Sequence, residues 1–443
     1  MKRRVLEQLV LFGSVLKWTF YAAIVGAAVG LSTTVFLRTL TWATDVAAGV
    51  PSAYLGLPVV LFVSAVLVRW LAPEAEGHGT ERVLAALHER MGRIPLAVVP
   101  VKLVATVITL AGGGSAGKEG PCAQIGAGIA SGLASLGRIR DVDRRKLVIC
   151  GVSAGYAAVF GTPIAGALFG VEVLFLGQIL YDVLLPSFVA GITAYHVASA
   201  LGVTYFHFTL EVFPIFTSRV FGQILLLGVW CGLGALLLIE ALKLGHRLFQ
   251  HLRWWKPVNA VLGGALLSGV GGLVSTRYLG LGLETIEDGL RGQVLEKSAF
   301  FWKLMATAIT LSCGGSGGIV TPIFFLGTAA GNLFSVLFHT GNIATYSAIG
   351  MVALLAGAAN TPIAASVMAI ELFGSSIAPY AAIACIVAFL MSGHRSVYPS
   401  QVLSMLKSGS LNATTGKALS QLEDEVGSAR VTLPRFLDRY WRK

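Results

Sequence analysis

Apolar residues in this chain run on in long stretches with few polar interruptions. Segments 14–41, 54–71, 95–111, 122–137, 147–177, 179–203, 220–244, 256–276, 299–312, 321–338, 345–358, 361–374 and 377–393 are all predominantly apolar. A helix needs about 20 such residues to cross a bilayer core. Several of these segments are shorter than that, and glycine or proline interrupts others. Between Lys303 and Arg395 the only charged residue is Glu371. Such a stretch belongs in a membrane, and its short pieces predict broken or re-entrant helices. Those are stable at membrane depth only when buried in protein or lining a cavity. The expected fold is therefore all-α: a polytopic membrane protein with many tilted and broken helices.

Composition turns this pattern into an exclusion. Of 443 residues, 55% are hydrophobic and 12% charged, against about 25% charged in ordinary soluble proteins. So little charge does not cover a soluble surface of this size. The 53 glycines fit membrane helices better than soluble ones. The net charge of +11 collects at Lys2, Arg3 and Arg4, in 138–146, around 244–256 and at the carboxyl end, with apolar stretches between. That is the positive-inside pattern of a cell-membrane protein with cytosolic termini, and it makes a nucleic-acid partner unnecessary. The first apolar run is too long for a signal-peptide core and is followed by further spans, so it reads as a retained helix. Cys122, Cys150, Cys231, Cys313 and Cys385 lie singly in apolar runs, without a CxxC pair, and read as packing residues.

The chain repeats itself. Residues 112–121 read GGGSAGKEGP and 313–322 read CGGSGGIVTP, so that Gly113, Gly114, Ser115, Gly117 and Pro121 fall on Gly314, Gly315, Ser316, Gly318 and Pro322 at an offset of 201. At an offset of 199, TPIAGALFGVEV (162–173) falls on TPIAASVMAIEL (361–372), placing Glu172 on Glu371. Paired halves with Gly/Pro-interrupted segments at matching positions mark repeat-built transporters, whose site lies near mid-membrane. Each Gly-rich block ends in a proline that suits the first turn of a helix. Two helix amino termini would then converge, and their free N–H groups and dipoles would bind a small anion.

Within that frame Glu119 is the residue of interest. A carboxylate at a helix start inside an anion site competes with the anion for the same donors, and protonation releases them; it is a gate sensing both proton and anion. The neighbouring Lys118 points elsewhere on a helix. Residues 112–119 approach a phosphate-binding loop but place Glu119 where the metal-binding hydroxyl belongs and lack a preceding strand. Glu172 and Glu371, at equivalent positions, are expected to be structural, capping or packing at corresponding helix ends. No histidine spacing suggests a metal, and no nucleophile elbow suggests an enzyme.

These motifs resemble the CLC family of chloride channels and chloride/proton exchangers, over nearly the whole chain. GKEGP (117–121) matches the family's G-[K/R]-E-G-P; GIVTP (318–322) resembles G-x-F-x-P with Val320 at the usual Phe; GHGTE (77–81) stands where the family has G-S-G-I-P; GHRSVYPSQ (393–401) resembles the segment carrying the central tyrosine, here Tyr398. The resemblance implies an inverted-repeat architecture in a homodimer with one pore per subunit, surrounded by lipid. The halves would span 1–210 and 211–399, followed by a short cytosolic tail, 400–443. It implies a transported chloride or similar monovalent anion as the ligand, no other cofactor, and Glu119 as the gate. The anion would lie among His78, Gly79, Lys118, Glu119, Gly120, Ile319, Val320, Thr321 and Tyr398, with Tyr398 donating its hydroxyl. His78 replaces the family's coordinating serine: either its imidazole donates, or it faces away and leaves backbone amides to bind. The GKEGP proline fits the chloride-type members better than the fluoride exporters. Proton-coupled members carry an inner glutamate where this chain has Val173, so channel-like or loosely coupled conduction leads, with proton-coupled antiport as the alternative.

Overall fold

The structure, a computed structural model, describes residues 2–50, 52–205, 208, 210, 215–252, 255–409 and 413–426. The first series of helices is α1 (Lys2–Ala48), α2 (Leu57–Leu71), α3 (Thr80–Glu89), α4 (Val98–Ala111), α5 (Glu119–Leu136), α6 (Asp141–Phe160), α7 (Pro163–Glu172) and α8 (Tyr181–Ala200). The second is α9 (Ser218–His251), α10 (Lys256–Leu273), α11 (Leu283–Leu290), α12 (Ala299–Cys313), α13 (Val320–Leu337), α14 (Ile343–Ala359), α15 (Pro362–Phe373) and α16 (Ala378–Met391). A last helix, α17 (Leu419–Val426), follows. Two short strands, β1 (Phe175–Leu176) and β2 (Val402–Leu403), pair in parallel and dock the segment after α16 onto the end of α7.

Helix for helix, the second series reproduces the first. Among the described residues five helical segments are long and apolar enough to cross a membrane: Arg4–Ala48, Ala53–Leu71, Tyr181–Ala200, Ser218–His251 and Val320–Leu337. Other apolar helices are shorter, as the broken pattern predicts. The centre of the molecule is α5, α6, α13 and α14, whose residues are almost all buried. Small residues make this packing possible. A Cβ on Gly126 of α5 would stand 2.2 Å from the carbonyl oxygen of Gly151 on α6, and one on Gly327 of α13 would stand 2.5 Å from that of Gly350 on α14. The two α-hairpins are built by the same contact. All five cysteines are buried and unbridged.

Two boundaries depart from the sequence reading. The run 147–177 is two helices, because Gly161 adopts φ +74° and Pro163 starts α7 afresh. The first helix begins at Lys2 rather than near position 14, because a mixed segment, KRRVLEQLVLFG (2–13), continues it outward. The short amphipathic helices α3 and α11 have no apolar run to announce them.

Candidate functional site

After α4 and after α12 the chain turns sharply through glycines, with Gly113 at φ +98° and Gly314 at φ +114°, regions that cost an L side chain strain. Each turn then leads inward to a helix start, α5 at Glu119 and α13 at Val320. Equivalent residues stitch the two inward segments together. Gly117 N–H donates to Gly318 O at 2.7 Å and Gly318 N–H donates to Gly117 O at 2.6 Å. On either side, equivalent side chains trade partners. The Ser115 amide donates to Thr310 Oγ1 at 3.0 Å, and the Ser316 amide to Thr109 Oγ1 at 3.2 Å. Ser115 Oγ lies 3.0 Å from Thr307 Oγ1, and Ser316 Oγ 3.1 Å from Thr106 Oγ1. This swapped pairing is the signature of a two-fold relation between halves that run in opposite senses, with its axis through the Gly117–Gly318 bridge.

The same exchange holds at the matched carboxylates of the second repeat block. Glu172 accepts from the amides of Ile363 and Ala364 at 3.1 and 2.7 Å, at the start of α15. Glu371 accepts from the amides of Ile164 and Ala165 at 3.0 and 2.7 Å, at the start of α7. Each caps the other's helix, which answers the free N–H groups and the positive dipole end there. The capping role expected of this pair is thus present, across the two halves.

At the centre the symmetry breaks. Glu119 is 2% exposed. Thr321 Oγ1 donates toward its two oxygens at 2.6 and 2.7 Å, and the Thr321 amide donates to Oε2 at 3.1 Å. In the repeat Glu119 corresponds to Val320 and Gly120 to Thr321, so neither partner has a counterpart. The carboxylate of the first half therefore occupies the helix amino terminus of the second, which is itself an anion site. Ile319 and Val320 form the buried start of α13, and Lys118 is the N-cap residue of α5.

His78 and Gly79 approach from the turn before α3. Gly79 has φ +77°, and a Cβ on it would lie 2.5 Å from Gly120 O; one on Gly120 would lie 2.2 Å from His78 O. Backbone meets backbone here because neither Gly79 nor Gly120 has a side chain. Tyr398 is fully buried, its amide held by Ser396 Oγ at 3.0 Å. Its ring lies 5.7 Å from that of His78, centroid to centroid. Tyr398 Oη and His78 Nδ1 are both buried without a hydrogen-bond partner. An unmet buried polar atom costs about 1–3 kcal/mol, so each of these two calls for a partner, whether water or a ligand. Val173, by contrast, is buried at the end of α7, and its carbonyl accepts from Gln401 Nε2 at 2.8 Å.

Sequence reasoning missed two buried lysines. Lys102 on α4 donates through Nζ to Ala75 O at 3.0 Å and to Gly77 O. Lys303 on α12 donates to Tyr278 O at 3.3 Å and Gly280 O at 2.8 Å. Each ammonium holds the glycine turn ahead of its half, GHGTE (77–81) or GLGLE (280–284). The signal was in the chain: KLVATVITL (102–110) and KLMATAITL (303–311) differ at two positions.

The family profile described as "Voltage gated chloride channel" matches residues 59–393. The chain is 37% identical over 405 residues to a chloride/fluoride channel protein of Pseudomonas syringae pv. tomato, covering 89% of this chain and 88% of that one. It is 28% identical over 394 residues to the H(+)/Cl(-) exchange transporter ClcA of Salmonella typhi, 80% of each chain. Among solved structures it superposes on a CLC-type fluoride/proton antiporter with a TM-score of 0.83 and 29% identity, covering 88% of this chain and 98% of the other. It shares the fold of a slow cyanobacterial Cl-/H+ antiporter with a TM-score of 0.75 at 20% identity, over 85% and 94% of the two chains.

Proposed function

This chain belongs to the voltage gated chloride channel family, and on that premise we propose that it exchanges a small halide, fluoride before chloride, for protons across the cell membrane, with Glu119 as the shared gate. Membership makes it an anion-transporting integral membrane protein; the exchange, the order of halides and the residue roles are the proposal. The observation that carries it is the bond of the Glu119 carboxylate to Thr321. Carboxylate and halide compete for the same helix start, so binding of the anion and binding of the proton are linked, and linkage at one site is reciprocal.

In this reading the anion is held by the amides of Gly79, Gly120, Ile319, Val320 and Thr321 together with Tyr398 Oη and His78 Nδ1–H, while Lys118 contributes backbone alone. Fluoride is small and strongly hydrated, so it exchanges its water only for strong, closely set donors. The buried atoms His78 Nδ1 and Tyr398 Oη, both without a hydrogen-bond partner, supply two such donors in place of one. The names carried by the Pseudomonas protein and by the fluoride/proton antiporter point the same way. The protein works as a homodimer with a pore in each subunit and both termini cytosolic. Residues 1–210 and 211–399 form the halves around each pore. The tail is 400–443, of which 410–412 and 427–443 lie outside the described residues.

Channel-like conduction is the second reading, favoured by Val173, an apolar residue where the family's exchangers carry a proton-transferring glutamate. Purified protein in liposomes with simultaneous halide and proton recording separates the two. Exchange requires protons to move uphill when a fluoride or chloride gradient is imposed. Halide efflux under a voltage with no stoichiometric proton movement would sink exchange and leave the channel.

A further inference from the structure

We infer that Glu81 is the inner proton-transfer residue of this chain, taking protons from a cytosol-side cleft and passing them through His78 toward Glu119. The inference rests on the exchange reading above and names a residue for the step that Val173 leaves unfilled.

Between α3, α9, α10 and the end of α12 lies a cleft of about 690 Å³, whose lining includes His78, Glu81 and Ser400. Glu81 stands in the first turn of α3, three residues after His78. Its Oε1 accepts from the Ser400 amide at 2.9 Å and from Ser400 Oγ, while Oε2 is buried without any hydrogen-bond partner. His78 Nδ1, three residues earlier in a ring that lies 5.7 Å from that of Tyr398, is also without one. Among the described residues that line the cleft, these two and Asn259, through its Oδ1, each keep a buried side-chain atom without a hydrogen-bond partner. Of these, Glu81 and His78 are the two that exchange protons.

The other charged groups facing the cleft are occupied or distant. Glu76 pairs with Arg82 at 3.4 Å and with Lys256 of α10 at 3.1 Å. His246 of α9 lies 3.1 Å through Nδ1 from the Leu242 carbonyl and 3.2 Å from Ser312 Oγ. Lys102 is committed to the glycine turn, and Glu89 lies some two turns further along α3.

The repeat supplies a comparison inside the molecule. The turn GHGTE (77–81) corresponds to GLGLE (280–284), and all four glycines, Gly77, Gly79, Gly280 and Gly282, have positive φ. Glu284, the counterpart of Glu81, is exposed, and the counterpart of His78 is Leu281. An acidic residue in the first turn suits either helix through the dipole alone. Only in the first half is it drawn inward beside a second titratable side chain, on the side of the molecule where Tyr398 stands.

The step balances without another reactant. The Glu81 carboxylate takes a proton from cleft water and becomes neutral. It gives that proton, directly or through one water, to the His78 imidazole, which releases one in turn toward the Glu119 carboxylate. Glu81 and His78 end at their starting charges, and Glu119, neutral after the transfer, returns to carboxylate when it releases the proton on the other side, so one proton has crossed.

The test compares wild type, Glu81→Gln, Glu81→Asp and Ser400→Ala in liposomes, recording halide and proton fluxes together. Glutamine keeps an acceptor for Ser400 but takes no proton. The expected result is a fall of at least about tenfold in the ratio of protons to halides for Glu81→Gln, substantial recovery in Glu81→Asp, and a near wild-type ratio in Ser400→Ala. A Glu81→Gln protein with the wild-type ratio overturns the role of Glu81 while leaving exchange standing. A Ser400→Ala protein that loses the ratio as Glu81→Gln does overturns it too, since the residue would then only clamp the Tyr398 segment. Wild-type protein that moves halide without protons overturns exchange itself, and the relay with it.

Discussion

Glu119, the first residue of α5, has its carboxylate bound by the hydroxyl and amide of Thr321, in the first turn of α13. Two helix starts that the repeat makes equivalent are thus joined by a carboxylate on one and its receptor on the other. In the proposed mechanism that position is competitive, because a halide that approaches the start of α13 meets a group of its own charge already seated.

The competition sets a sign for pH. Raising pH increases the ionised fraction of Glu119, so halide affinity falls as pH rises in the wild type. Glu119→Gln removes the carboxyl, and halide binding measured by calorimetry then loses its dependence on pH. A mutant whose affinity still falls with pH would place the gate elsewhere.

Thr321→Val removes the hydroxyl and leaves the amide. A hydrogen bond to a charged group contributes about 1.5–3 kcal/mol, so the carboxylate loses much of its hold. Apparent halide affinity at neutral pH is expected to rise roughly tenfold, with no gain at acidic pH, where the carboxyl is already neutral. Calorimetric titrations at the two pH values read both halves of this outcome.

His78 is tested by selectivity. Replacing it with Ser shortens the donor and removes its ring from Tyr398. Flux ratios of fluoride to chloride to nitrate are expected to shift by several-fold toward chloride, in line with about 1–3 kcal/mol for one buried donor. Identical ratios in the two proteins would assign selectivity to backbone amides.

Glu172→Gln and Glu371→Gln each weaken the cap of the other half's helix. Loss of the charge at a helix amino terminus costs about 1 kcal/mol, and the reciprocal geometry makes the two losses similar. The check is the thermal inactivation midpoint of each variant in detergent; a drop confined to one of them would contradict the reciprocity.

Gly79→Ala and Gly120→Ala would push a Cβ into backbone at 2.5 and 2.2 Å, where nothing flexible can give way. Transport or folded yield should fall at least about tenfold, as expected for strain in a packed site. Gly13→Ala in α1, with open space around it, serves as the control and is neutral or slightly stabilising.

The two-fold plan was legible because its turns demand Gly, Ser and Pro, and those residues survive in both copies. The place of Glu119 at a buried helix start was legible for a related reason: a lone carboxylate stands out in a Gly-rich block between apolar runs. Thr321 entered the sequence reading only through the resemblance, as one position in a coordinating run. Nothing in the chain says that its hydroxyl meets Glu119, because that contact joins residues 202 apart that are not each other's counterparts. The third repeat block, with Lys102 and Lys303, went unread even though its letters agree, since a lysine inside an apolar helix gives no hint that its ammonium reaches back to a preceding turn. GHGTE and GLGLE share only glycines and one Glu, too little to align without coordinates. The break within 147–177 was hidden by apolar residues on both sides of Gly161.

The exchanged bonds between Gly117 and Gly318 fix one property of any transport cycle in this chain. Halves fastened to each other two residues ahead of the starts of α5 and α13 cannot tilt about that junction like the jaws of a clamp without breaking the exchanged bonds. Access from the two sides must then alternate through something small, a swing of side chains across a stationary frame. A tether engineered between the outer rims of the two halves should accordingly slow this protein little, where it would arrest a rocking transporter.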